Sequence, residues 1–348
     1  MFNNSLQKGT NNVRRAFLHI GAGKAGSTSL QRSFFLSKAQ NDKKLFFPTL
    51  LNYKNNQIFR FAFCDARDTP SDIKGKYANN KSAYAQFQQE IKDDLQKQCV
   101  NKQNIFISSE FLFLANRDEV LNIKQYLNGI GINEIHVLVF LRSPEKYYLS
   151  VAQQALKNGP NIPHPDRFRY DISGAIESWS AINPASLTLR EFDRGLLING
   201  DIISDVESYF KSKKLDIELK KIKAANVTMT VEASVLLEEL QQQWSQQNLS
   251  EEQHKKKMHL ARIFSKAVFE GTKPVLKEEV ANRIKQKYRA TLLSSFEKFG
   301  VFETQANQNL DVSYSELPKN LSFADLVATF DTSRYQTIKE QSMRIFDN

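Results

Sequence analysis

Ala16-Phe-Leu-His-Ile-Gly-Ala-Gly-Lys-Ala-Gly-Ser-Thr28 is the stretch on which the reading of this chain turns. Ala16–Ile20 is an apolar run that stops at glycine, the mark of a buried strand. From residue 26 to residue 38 a helix is expected, with Leu30, Phe34 and Phe35 at helical spacing. Between strand and helix, Gly21, Gly23 and Gly26 let the backbone turn so that successive amides point at one spot. The helix adds its partial positive N-terminus. Lys24 adds a full charge, and Ser27 and Thr28 add hydroxyl donors. Together these parts make a phosphate cradle.

The spacing separates this loop from two others. A Walker A loop, G-x-x-x-x-G-K-[ST], has its lysine directly after the last glycine. Here Lys24 lies two positions before Gly26. The Rossmann G-x-G-x-x-G fits poorly as well. Two hydroxyl residues follow Gly26 at once, and no acidic residue ends a strand about 20 residues on.

Working outward, residues 82–98 read as a helix with Phe87, Ile91 and Leu95 on one side. Asn104–Ser108 (NIFIS) reads as a second buried strand. A helical pattern through Val120, Ile123 and Leu127 leads to Glu134–Leu141 (EIHVLVFL), the most hydrophobic strand. Strand, helix, strand at this spacing implies a parallel pair with a right-handed crossover. A helix from Pro144 to Lys157, a fourth strand over Ser186–Arg190 and a helix over Asp201–Phe210 follow. The alternation gives an α/β class: an open parallel sheet flanked by helices, with ligands at the carboxyl ends of the strands. Residues 231–244, 250–268 and 275–298 read as helices, and Asn320–Asn348 adds one or two more. The expected organisation is a disordered leader over 1–13, an α/β core over 14–230, and a helical C-terminal region over 231–348 packed on the core.

His19-Ile-Gly-Ala-Gly-Lys-Ala-Gly-Ser-Thr-Ser-Leu-Gln31 resembles the 5′-phosphosulfate loop of the PAPS-dependent sulfotransferases (PAPS is 3′-phosphoadenosine-5′-phosphosulfate), of the bacterial and glycan-directed type. Their loop commonly runs K-T-G-T-T, so Ala25 and Ser27 depart from it, and Ala25 removes one side-chain donor. A second element fits the same family. Arg142-Ser-Pro-Glu-Lys-Tyr-Tyr-Leu-Ser150 resembles its 3′-phosphate site, an R-x7-S pattern at a strand-to-helix join. Its chemistry is also readable directly. Ser143 suits the N-cap and Pro144 the first helical position. Arg142 offers a planar fork to phosphate oxygens. Ser150, Gln154 and Lys157 fall on nearly one helix face. Leu45-Phe-Phe-Pro48, Ser178–Asp193, Asn199-Gly-Asp-Ile-Ile203 and Asn226-Val-Thr228 resemble further family segments, so the likeness spans residues 14–230.

The resemblance implies a P-loop-like sulfotransferase fold and sulfuryl transfer from PAPS, leaving PAP, to an acceptor hydroxyl or amine, on a carbohydrate. It carries donor binding to Gly23, Lys24, Ala25, Gly26, Ser27, Thr28, Arg142 and Ser150. Lys24 would neutralise charge developing on the leaving phosphate. The acceptor must lose a proton. Glu110, ending Ile107-Ser-Ser-Glu110 at the sheet edge, is the candidate base; as an alternative it opens the next helix as an N-terminal acid with Ser108 or Ser109 capping. His19 and His136 lie in apolar strands and read as core histidines. His164 belongs to a Pro-rich stretch, His254 and His259 to a charged helix, and Arg169 and Arg190 are unplaced basic residues. No metal is predicted.

The net charge of +10 and pI near 9.3 favour anionic ligands. No RNA-binding aromatic signature or helix-turn-helix pattern points to nucleic acid. No apolar run reaches about 18 residues and the N-terminus has no signal-like apolar core, so a cytoplasmic protein is expected. Cys64 and Cys99 fit no metal or redox spacing and read as reduced packing thiols. Two other functions compete: a nucleotide-dependent kinase with a degenerate loop, and a non-catalytic nucleotide-binding protein, which Ala25 favours.

Overall fold

The computed structural model describes residues 13–222, 228–248, 250–265, 269–308 and 316–347. The expected leader, but for residue 13, and Asn226-Val227 lie outside the described residues. The elements are β1 Arg15–His19, α1 Ser27–Asn41, α2 Ser71–Tyr77, α3 Lys81–Cys99, β2 Asn104–Ser108, α4 Arg117–Gly129, β3 Glu134–Leu141, α5 Pro144–Asn158, α6 Ile172–Ser180, β4 Ser186–Glu191 and α7 Ile202–Ser212. Helices alone follow: α8 Val231–Ser245, α9 Glu251–Ser265, α10 Glu278–Lys287, α11 Arg289–Phe299, α12 Glu303–Ala306, α13 Phe323–Leu326 and α14 Thr332–Asp347. The class is α/β, with a four-stranded parallel sheet flanked by helices and a helical C-terminal region. Two compact units divide the chain, Met1–Leu141 with Ser173–Ile222 and Arg142–Ile172 with Lys223–Asn348.

The first unit holds the sheet, in strand order β2-β1-β3-β4. Glu134–Leu141 and Asn104–Ser108 form strands with the expected ends. They are parallel, but they do not pair with each other as expected. β1 lies between them, with Phe17 opposite Phe106 on one side and His136 on the other. Ala16, Phe17 and Leu18 of β1 are fully buried, and so are Ile105, Phe106 and Ile107 of β2, so burial alone does not set the strand order. β2 takes the outer place, where Phe46 of the Leu45–Pro48 segment forms an isolated parallel bridge to Ile105.

Strand periodicity sets the core. Phe17, Phe106, Leu138 and Phe140 join Leu30 and Phe34 of α1 and Val206 and Phe210 of α7 in one cluster. Phe34 lies 4.1 Å from Phe106, and Phe17 stacks on His136 at 4.7 Å. Each such aromatic contributes about 1.5–3 kcal/mol through burial. This fixes α1 on the sheet and thereby its N-terminus at the strand ends. The chain passes from β1 to β2 on one side and to β3 on the other, so the β1 end is a topological switch point, the usual ligand position in such sheets.

In the second unit, α5 is tied to the segment before α8 and to α8 itself by buried amides. Gln153 Nε2 donates to Met229 O at 2.8 Å and to Ser234 Oγ at 3.0 Å, and Gln241 Nε2 donates to Leu156 O at 2.9 Å. The helix expected over 275–298 is two helices that meet at Tyr288. Its hydroxyl donates to Phe168 O at 3.1 Å and accepts from Tyr170 N at 2.7 Å. That anchor, invisible to helical periodicity, holds the break. Among the described residues no helix is long and apolar enough to cross a membrane.

Candidate functional site

The start of the loop after β1 is held by β3. Ile20 N donates to Leu138 O at 3.0 Å, Ala22 N to Phe140 O at 2.7 Å, and Phe140 N to Gly21 O at 2.7 Å. β3 thus pairs with the chain past the end of β1. The backbone then turns left-handed at Gly21 (φ 109°), Lys24 (φ 61°) and Gly26 (φ 81°). At Gly21 an added Cβ would lie 3.2 Å from Glu110 Cα. At Gly26 it would lie 2.7 Å from the Phe192 ring and 2.8 Å from Ile202 Cδ1, so a larger residue would force those side chains to shift and would sit at a strained positive φ.

No side chain caps α1. Its first intrahelical bond is Leu30 N to Gly26 O at 3.1 Å, which leaves the amides of Ser27, Thr28 and Ser29 ahead of it in the first turn. This is a helix N-terminus suited to an anion. Gly23, Lys24 and Gly26 are half-buried and Thr28 is exposed, so solvent reaches the loop. Ala25 differs from its neighbours. It is fully buried in the cluster with Phe17, Leu30 and Phe34. A side chain at this position faces the core, which explains why a methyl is accepted there.

Glu110 begins a 3-10 helix, Glu110–Leu114, directly after β2. Ser109 stands at its N-cap without a capping bond; its hydroxyl donates to Gln57 O at 3.2 Å. Glu110 is half-buried, and its carboxylate accepts a hydrogen bond from Ser27 Oγ. A serine hydroxyl has one proton. In this arrangement Ser27 therefore offers the cradle its backbone amide, and its hydroxyl serves Glu110. Gln31, one turn on, donates from Nε2 to Ser108 O at 3.1 Å. One face of α1 is thus fastened to the β2 end at two points. Gln31 was not foreseen as part of this arrangement; its position four residues after Ser27 was the available signal.

His19 lies beneath the loop and out of solvent. Its Nδ1 is 2.8 Å from Ser108 Oγ. Burial, opposed by a weaker hydrogen bond with the Gly21 backbone, lowers its pKa to about 3, so the imidazole is neutral. His136 is buried against Phe17 with Nδ1 2.9 Å from Ser186 Oγ, and burial lowers its pKa too. Arg190 forms an ion pair with Asp205 at 3.0 Å. The Asn199-Gly200 turn leads to Asp201, which caps α7 through Ser204 N at 3.1 Å. Cys64 and Cys99 are free and buried, and burial pushes Cys99 up to about 12.

Arg142 and Ser150 belong to the second unit. Arg142 directly precedes Ser143, the N-cap of α5, with Pro144 at the first turn. The Ser143 hydroxyl does not cap; it donates to Glu145 Oε1 at 2.6 Å. Ser150, Gln154 and Lys157 are half-buried at i, i+4 and i+7, while Ala152, Gln153 and Leu156 are buried. Tyr147, in the first turns, stacks on Tyr170 at 4.0 Å. In the same unit His164 Nε2 is 3.2 Å from Pro318 O, and Arg169 is exposed. His259 lies on α9, as does His254, whose side chain is outside the described residues.

No protein-family model and no curated protein matches this sequence. Among solved structures, a chain from work on the PezAT chromosomal toxin–antitoxin system of Streptococcus pneumoniae aligns over 73% of this chain and 86% of its own, at 14% identity and a TM-score of 0.31. A TM-score of that size does not indicate a shared fold.

Proposed function

We propose that this protein is a PAPS-dependent sulfotransferase acting on an acceptor hydroxyl or amine, on a carbohydrate. The observation that carries the reading is the seating of Glu110 on Ser27, at the mouth of a basic loop that ends in an uncapped helix N-terminus. A carboxylate held beside an anion cradle is suited to taking a proton there, not to binding the anion itself.

Lys24 and the amides of Gly23, Ala25, Gly26, Ser27 and Thr28 bind the 5′-phosphosulfate. Arg142 and Ser150 bind the 3′-phosphate. As the acceptor oxygen or nitrogen bonds to sulfur, the bond from sulfur to the bridging phosphate oxygen breaks. Glu110 takes the acceptor proton, and Lys24 offsets the charge left on the phosphate of PAP. Ala25 faces the core, so packing accounts for its methyl.

Thermal unfolding with PAP and, separately, with ATP–Mg2+ tests the reading, because a ligand bound only by the native state raises Tm. PAP is expected to stabilise. Stabilisation by ATP–Mg2+ alone would return the protein to the kinase class.

A further inference from the structure

Aromatic residues of the second unit converge on the turn that carries Arg142. Tyr147 and Tyr148 stand in the first turns of α5, Phe168 and Tyr170 follow the 3-10 helix Pro165–Arg167, and Tyr288 marks the break between α10 and α11. The Tyr147 and Tyr170 rings stack at 4.0 Å. Tyr148 meets Phe168 edge-on at 5.2 Å, and Phe168 meets Tyr288 edge-on at 5.9 Å. Such pairs fix the orientation of the rings as well as burying their area.

Hydrogen bonds give this cluster a direction. Tyr288 Oη accepts from Tyr170 N at 2.7 Å and donates to Phe168 O at 3.1 Å. Lys287 Nζ donates to Phe168 O at 2.6 Å and to Asp166 O at 2.7 Å, so the α10–α11 break pins the segment. On the other side, Tyr147 N donates to Ser143 O at 2.9 Å and closes the first turn of α5 directly after Arg142. The Tyr170 hydroxyl is where the two sides meet. Burial, and then Tyr147, push it well above the ordinary tyrosine range, while the backbone amide and the charge of Arg142 oppose that rise. It therefore stays protonated and neutral. A carboxylate in its place would compete with a phosphate for the guanidinium; a neutral hydroxyl leaves that fork available. We infer that Tyr170 is a positioning residue: held by Tyr288, it fixes the backbone of Arg142 and so presents the guanidinium to a phosphate already ordered. Ordering done in advance is ordering that binding need not impose. The inference rests on the assignment of Arg142 to the 3′-phosphate, and it gives the helical C-terminal region a part in donor binding.

Calorimetric titration with PAP and with adenosine 5′-monophosphate, which lacks the 3′-phosphate, tests it. Tyr170→Phe keeps the ring on Tyr147 and removes only the hydroxyl. It should weaken PAP binding by about tenfold and leave the monophosphate affinity as in the parent. Tyr288→Phe should move the ratio of the two affinities in the same direction, and it carries the test if Tyr170→Phe does not fold. Tyr148→Phe removes a hydroxyl bond of the same cluster, to Pro163 O at 2.8 Å, and should lower Tm without moving the ratio. Equal losses for both ligands in Tyr170→Phe, or the same change of ratio in Tyr148→Phe, would reduce the cluster to a structural role and overturn the inference. A parent that prefers PAP, with the preference intact in Tyr170→Phe, would overturn it while leaving the 3′-phosphate site standing. A parent that binds PAP no better than the monophosphate would remove that site, and the inference with it.

Discussion

Ser27, the first residue of α1, donates its hydroxyl proton to the carboxylate of Glu110, the first residue after the β2–Ser109 join. The two residues are 83 positions apart in sequence. They meet because β1 and β2 are neighbours in register, His19 opposite Ser108, and both chains leave the sheet at the same edge. Gln31 on Ser108 O holds the same helix face one turn further on.

If Glu110 is the base, Glu110→Gln should lower turnover by about 10²–10⁴-fold and leave the PAP-induced thermal shift in place. Ser27→Ala should lower turnover while retaining PAP binding through the Ser27 amide. The two changes should not add, since both act on one hydrogen-bonded pair. Additive losses in the double variant would show that they act separately.

Gly26→Ala should destabilise the protein by about 1–3 kcal/mol, because the new Cβ meets Phe192 and Ile202 and φ is 81°. Denaturant unfolding measures this. Gly159→Ala, with nothing within 4 Å of the added Cβ and no left-handed φ, is the matching control.

His19 is held neutral by burial, with its pKa lowered to about 3 from an ordinary 6.5. A depressed histidine contributes stability that is fully present above pH 6.5 and is lost as the pH falls toward 3. The melting temperature should therefore carry an acid limb that begins below pH 6.5, and His19→Gln should flatten it. The same limb in the variant would assign the acid sensitivity to another group.

Glu238, on α8, behaves in the opposite sense. Burial raises its pKa to about 7 from 4.5, although its Oε2 accepts from Phe323 N at 2.8 Å; Asp325 and Glu239 add to the rise. A carboxyl raised on folding contributes stability that is full below pH 4.5 and is lost as the pH climbs through 7. Hydrogen exchange at Phe323 should become faster, relative to its intrinsic rate, between pH 5 and 8. Glu238→Gln should remove that change and keep the amide protected. Equal protection of the parent at both pH values would contradict the raised pKa.

The strands, the glycine loop, α1, α5 and α7 were legible in the sequence because each depends on local periodicity or turn chemistry. So was the α/β class, since alternating strands and helices leave few arrangements. Ala25 could be seen to depart from the loop pattern, but only packing tells which way its methyl points. The break at Tyr288 was hidden because both flanking helices keep a helical period; a hydrogen-bonded anchor from residues 168 and 170 decides it. The neighbour of each strand was also out of reach, since β2–α4–β3 is equally compatible with direct pairing and with β1 between. By itself, then, the sequence determined the glycine-rich loop Gly21–Thr28 and the elements around it. Only the tertiary structure decided that β1 sits beside β2 and that Glu110 reaches Ser27, because contacts between distant residues follow from sheet order and core packing, which no local pattern encodes.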